Sequence, residues 1–150
     1  MRKGITMTIH HVLVPIDFSS YAEQALDYAI ALAQKLQARV TLLHVIQPPA
    51  VVNVAGGLWP SSTFLQDLET AVTRDMEGYL ARVTAAGLAG EIVVGHGVPF
   101  QEILDTAKKR QVDLIIMGTH GRTGLVHVLL GSVAEKVVRL APCPVLIARQ

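Results

Sequence analysis

VDLIIMGTHGRTGLVHVLLGS, Val112 to Ser132, decides the fold: an apolar run ends at Met117 in glycines, a histidine and an arginine, then returns to helix-like sequence at Ser132. Val112–Met117 reads as a strand that is apolar throughout, and Ser132–Leu140 as a helix. Outward from there the same alternation repeats. His11–Ile16 is a strand ending at Asp17, and Ser20-Tyr21-Ala22-Glu23 reads as a capping box opening a helix whose Ala22, Ala25, Leu26, Ala29, Leu32, Ala33 and Leu36 form one apolar stripe. Val40–Ile46 is a second strand, stopped by Pro48-Pro49. A helix is expected from about Thr63 to Ala86, with Gly87 as its C-cap, then a strand at Glu91–Val94 and a helix begun by Pro99. Val145–Ala148 is the last strand.

Apolar strands alternating with helices indicate a parallel sheet covered on both faces. The expected fold is α/β: a doubly wound, Rossmann-like five-stranded parallel sheet, in the order 3-2-1-4-5, with helices on both faces. The 150 residues suit one domain, 1–150, interrupted only by a loop at about 47–62. Hydrophobic residues make up 51% and charged residues 17% of the chain, and the mean hydropathy is +0.42; disorder is not the expectation. A formal charge of +1, with acids and bases interspersed, offers no footprint for nucleic acid and no polybasic membrane patch. Cys143 is the single cysteine, which suits a reducing compartment, and no apolar run is long enough to span a bilayer. A cytoplasmic protein is expected.

In an open parallel sheet, ligands sit beyond the carboxyl ends of the strands where strand order reverses. Asp17 and Gly118 both fall at such ends. Gly118, Gly121 and Gly124 let backbone N–H groups approach a ligand without a Cβ in the way, and Gly131-Ser132 opens a helix whose free N–H groups favour an anion. Each glycine alone has a structural explanation, and Ser132-Val133-Ala134-Glu135 also reads as a capping box. Taken together with Asp17, the set favours a phosphate cradle. Neither G-x-x-x-x-G-K-[ST] nor G-x-G-x-x-G after the first strand is present. Of the histidines, His120 is placed in the site. His44 reads as a hydrogen-bonded core residue, His96 is discounted, and His10-His11 reads as merely preceding the first strand. Arg122 either reaches a terminal phosphate or is an exposed loop arginine.

Gly118-x2-Gly121-x9-Gly131-Ser132, with VPIDFS, LLHVI, GVPFQEI and CPVLIAR, resembles the universal stress proteins and their ATP-binding branch from Val12 to Ala148. The resemblance implies a fold like that of the adenine nucleotide alpha hydrolases. It implies ATP with Mg or Mn on its phosphates: Pro15, Ile16 and Asp17 at the adenosine end and the Val40 backbone on the adenine. Met117, Gly118, His120 and Gly121 would follow the ribose and inner phosphates, and Gly131, Ser132, Val133 and Ala134 would hold the rest. Ala134 stands where some relatives offer a hydroxyl. The function expected is a nucleotide-dependent stress-response module, with slow or no hydrolysis, no catalytic residue of its own and an unknown protein partner. The apolar Val145, Leu146 and Ile147 at a sheet edge, with the resemblance, imply a homodimer. The rival readings are an ATP-hydrolysing or nucleotidyl-transfer enzyme of the same fold and a dimeric interaction module without nucleotide.

Overall fold

The structure, a computed structural model, describes residues 4–47, 61–121 and 130–149. The elements run β1 (His11–Pro15), α1 (Ser20–Leu36), β2 (Arg39–Ile46), α2 (Ser62–Ala85), β3 (Gly90–His96), α3 (Pro99–Lys109), β4 (Leu114–Gly118), α4 (Ser132–Leu140) and β5 (Val145–Ala148). All four strand pairings are parallel, in the order β3-β2-β1-β4-β5. The expected α/β fold and strand order are those of the molecule, and the order reverses between β1 and β4.

Alternate residues of each strand serve opposite faces, as a pleat requires. Val12, Val14 and Leu42 face α1 and α2, where Ala25, Ala29 and Ala33 are fully buried. Their small side chains let α1 lie close on the sheet. Leu13, Leu43, Ile115 and Met117 face α3 and α4 through Ile103, Ala107, Ala134 and Val137. Two apolar layers, one on each side, explain why the central strands are apolar without a break. Gly87, at φ +79°, ends α2 as expected, one residue beyond the cap at Ala86.

Local chemistry departs from expectation at both proposed capping boxes. The N-cap of α1 is Ser19, whose hydroxyl accepts from Ala22 N at 3.2 Å, while Glu23 pairs with Arg82 on α2. The N-cap of α4 is Gly131, with no side-chain cap, and Glu135 reaches forward to Arg139. In each case a carboxylate near the helix start has a guanidinium within reach, which draws it away from the backbone. His11 also departs from its reading: it is the first residue of β1 and is 2% exposed.

Candidate nucleotide-binding site

The reversal between β1 and β4 opens a crevice beyond their carboxyl ends. β1 delivers Asp17, and β4 delivers Gly118, Thr119, His120 and Gly121. Asp17 Oδ1 accepts from the amide of Ser19 at 3.0 Å and from its hydroxyl, so the N-cap of α1 holds the carboxylate in place. The other oxygen faces the loop: a Cβ on Gly121 would stand 3.0 Å from Asp17 Oδ2. Gly131 N donates to Thr119 O at 2.7 Å, which ties the start of α4 to the end of β4. A Cβ on Gly131 would come 3.1 Å from that carbonyl and 3.2 Å from His120 Cα. Glycine at 121 and 131 therefore lets backbone and carboxylate approach closely at this end of the sheet.

Because no side chain caps α4, the first-turn N–H groups of Ser132, Val133 and Ala134 have no acceptor within their own helix. The positive end of the helix dipole lies with them. The Ser132 side chain is exposed, whereas Ala134 is 2% exposed and packs into the layer under α3 and α4. Position 134 can thus offer its backbone N–H, and a hydroxyl there would turn towards the core. His120 lies beside Tyr21, with ring centroids 5.3 Å apart, and its Nδ1 is 3.0 Å from Thr119 Oγ1.

The geometry bears on two of the expected residues in particular. Gly118 lacks a Cβ for a packing reason: one built there would meet Tyr21 Cβ at 2.7 Å and Tyr21 O at 2.8 Å. Helix α1 occupies that space. Val40 does not join the crevice. It pairs with Val12 and Gly90 near the amino end of β2, its amide donates to Ala89 O at 2.9 Å, and its side chain is buried. Since Leu43 stands beside Pro15, the same register carried two residues on puts Val45 level with Asp17. Periodicity in a strand buried on both faces does not say which of its valines ends at the ligand edge. Arg122 and Gly124 lie outside the described residues, as does most of the 47–62 loop. Pro15, Ile16 and Met117 do flank the crevice at the ends of β1 and β4, with Ile16 and Met117 buried.

Sequence reasoning missed the support beneath Asp17. Phe18 adopts φ +63°, a backbone conformation that bulky side chains rarely take. Its ring lies 4.7 Å from that of His44 and 5.8 Å from that of Tyr79. His44 Nδ1–H donates to Ile16 O at 2.7 Å, so β2 holds the turn directly after β1. Burial and a hydrogen bond to Glu23 push the Tyr79 phenol up to about 12. Nothing in the string DFSS signals a left-handed phenylalanine. Among the described residues, no three His, Cys, Asp or Glu side chains are grouped to hold a metal ion.

An open parallel α/β sandwich, with its crevice at the strand-order reversal and an uncapped helix start facing a strand-end carboxylate, defines a class of small ligand-binding domains. Within that class, the chain belongs to the universal stress protein family, whose model matches residues 8–149. It is 35% identical over 144 residues to universal stress protein YxiE of Bacillus subtilis, covering 92% of this chain and 97% of that one. The solved universal stress protein UspA from Lactobacillus plantarum superposes with a TM-score of 0.84 at 31% identity, covering 96% of this chain and all of that one (100%). A universal stress protein solved in complex with cAMP shares the fold, with a TM-score of 0.70 at 23% identity over 93% of this chain and 96% of that one. No helix among the described residues is long and apolar enough to cross a membrane.

Proposed function

We propose that this chain, as one universal stress protein domain, binds ATP in the crevice between β1 and β4 and serves as a nucleotide-dependent stress-response module in the cytoplasm. The observation that carries the reading is the close approach of backbone and carboxylate that Gly121 and Gly131 permit beside Asp17 and the uncapped start of α4. Free helix N–H groups suit phosphate oxygens, and a carboxylate at the other side suits ribose hydroxyls. Pro15, Ile16, Asp17 and the Val45 backbone would take the adenosine end, with Val45 in place of Val40. Met117, Gly118, His120 and Gly121 would follow the ribose and inner phosphates, and Gly131, Ser132, Val133 and Ala134 the outer ones, with Arg122 reaching the terminal phosphate. Mg or Mn would ride on the phosphates. The nucleotide bound by a fold relative is consistent with this pocket.

The test is calorimetric titration of ATP against the wild type and Gly121→Val. Binding by the wild type and loss of at least a hundredfold in the folded variant are expected. Unchanged affinity in that variant sinks the assignment.

Binding would proceed with little hydrolysis. Groups that hold phosphates equally well in ground and transition states do not raise turnover. Asp17 Oδ1 is engaged by Ser19, Glu135 by Arg139, and His120 lies beside Tyr21, so none of the three is proposed as the base for an attacking water. In a single-turnover assay with magnesium, a rate on the order of 1 s⁻¹, ordinary for an enzyme and lost in His120→Ala, would replace this reading with an ATPase. The half-buried edge strand β5 would pair with its twofold mate through Val145, Leu146 and Ile147. Light scattering at micromolar concentration should give a dimer mass, and a monomer would remove that part of the proposal.

A further inference from the structure

The amino edge of the sheet, opposite the crevice, holds a polar network that the nucleotide reading does not use. His11 lies at its centre. On β2, Thr41 is fully buried and its Oγ1 lies 2.7 Å from His11 Nε2. Thr41 has one hydroxyl proton, and it goes to Glu91 Oε1 of β3 at 2.8 Å. Thr41 must therefore accept from His11, and Nε2 carries the ring proton. Nδ1 then holds the lone pair, and Arg39 Nη2 donates to it at 3.0 Å.

A second group competes for the same nitrogen. The carbonyl of Arg110, at the end of α3, is 3.1 Å from Nδ1 and can only accept. One nitrogen cannot serve both partners: a lone pair suits Arg39, and a proton suits the Arg110 carbonyl. The charged groups around the ring come from every neighbouring element. Arg39 stands on β2 and Glu91 on β3, where Glu91 also takes Arg110 Nη1 at 2.6 Å. Asp113, before β4, accepts from the amides of His10 and His11 at 2.8 and 3.0 Å.

We propose that His11 is a proton-operated latch: neutral, it holds the Arg39 guanidinium at the amino edge of the sheet, and protonated at Nδ1 it turns to the Arg110 carbonyl and releases Arg39. There is room for that release. An open cavity of about 770 Å³ borders Arg39, lined also by His10, Gln34, Gln37, Gln111 and Asp113. Burial first, and the Arg39 charge second, hold the imidazole below its ordinary 6.5, while Glu91, Asp113 and the Arg110 carbonyl pull the other way. The latched state is thus the neutral-pH state, and acid below the ordinary 6.5 opens it.

The experiment is a pH series of long-range ¹⁵N–¹H imidazole spectra on the full chain, with the Arg39 guanidinium signals followed in the same samples. The neutral His11 ring should be the Nε2–H tautomer, with Nδ1 as the nitrogen that titrates. The Arg39 guanidinium protons should exchange slowly above the His11 midpoint and rapidly below it. Arg39→Met, which keeps the aliphatic stem of an exposed side chain, should move the His11 midpoint upwards. A neutral Nδ1–H tautomer, Arg39 exchange indifferent to His11, or a midpoint unmoved in Arg39→Met would each overturn the latch. The nucleotide assignment predicts none of these observations, so either proposal can fail alone.

Discussion

The two ends of this sheet solve opposite problems. At the carboxyl edge, backbone donors have no side-chain cap among the described residues: Gly131 caps α4 with no side chain, and Gly121 keeps a Cβ away from Asp17. At the amino edge, the polar groups around His11 are drawn into one network through Thr41, Glu91, Arg39 and Asp113, with the Arg110 carbonyl competing for the same ring nitrogen as Arg39. Unsatisfied donors cost stability unless something external meets them. A satisfied network rigidifies what it joins. The contrast separates an edge built to receive a ligand from one built to fasten β1, β2 and β3 together. It also puts specificity and stability on different residues, which makes the two separable by mutation.

The largest expected effect is on binding. Gly121→Val should abolish ATP affinity at the carboxyl edge, whereas Thr41→Val at the amino edge should leave it within about twofold, since sites this far apart share no partner. Parallel titrations of the two variants test the division. If Thr41→Val weakens ATP as severely as Gly121→Val does, the edges are not independent.

Next in size is stability. Thr41→Val keeps the shape of a fully buried side chain but leaves His11 Nε2–H and Glu91 without their shared hydroxyl, a loss of about 1–3 kcal/mol. Gly118→Ala should cost a similar amount, about 1–3 kcal/mol, because its methyl meets Tyr21 backbone at less than 3 Å. Urea unfolding of both variants measures this. A neutral Gly118→Ala would mean that Tyr21 yields to the methyl and that packing does not require this glycine.

Gly118 shows what the sequence carried and what it did not. The layers were legible because Val12 to Ile16 and Leu114 to Met117 are apolar on both faces and Val40 to Ile46 is broken only by Thr41 and His44, which leaves a covered parallel sheet as the simplest arrangement. The glycine spacing located the crevice for the same kind of reason: Gly121 and Gly131 are required by short distances. Gly118 is required by short distances too, but to Tyr21 of α1 rather than to Asp17 or the end of β4. Val40 and Val45 are the same letter at opposite ends of one strand. The His11 network was invisible for a deeper reason. Its members, at 11, 39, 41, 91, 110 and 113, meet only through the pairing of three strands and the end of α3, and no local pattern marks a histidine as central rather than preliminary. Phe18 shows the limit of propensity: its left-handed turn is imposed by His44 and Tyr79, not by its own preference.

The smallest effect expected is a dependence of stability on pH, and it sharpens the comparison most. The fold holds His11 below its ordinary 6.5, so between 6.5 and the folded value the unfolded chain binds a proton that the folded chain does not. Stability therefore rises with pH in that window. The contribution is fully present above 6.5 and is lost as pH falls through the folded value. One unmatched proton gives a slope of about 1.4 kcal/mol per pH unit at most. Carboxylates add slopes of their own at lower pH, so the wild-type curve alone does not isolate His11. Arg39→Met does. Removing the guanidinium should bring the folded value back towards 6.5 and flatten the curve just below 6.5, with little change lower down where carboxylates titrate. Gly121→Val, at the other edge, should keep the wild-type slope. Urea unfolding at half-unit steps from pH 7.5 to 5 measures all three. Equal slopes in the wild type and Arg39→Met would mean that Arg39 does not act on His11, and that the amino edge is fastened without a latch.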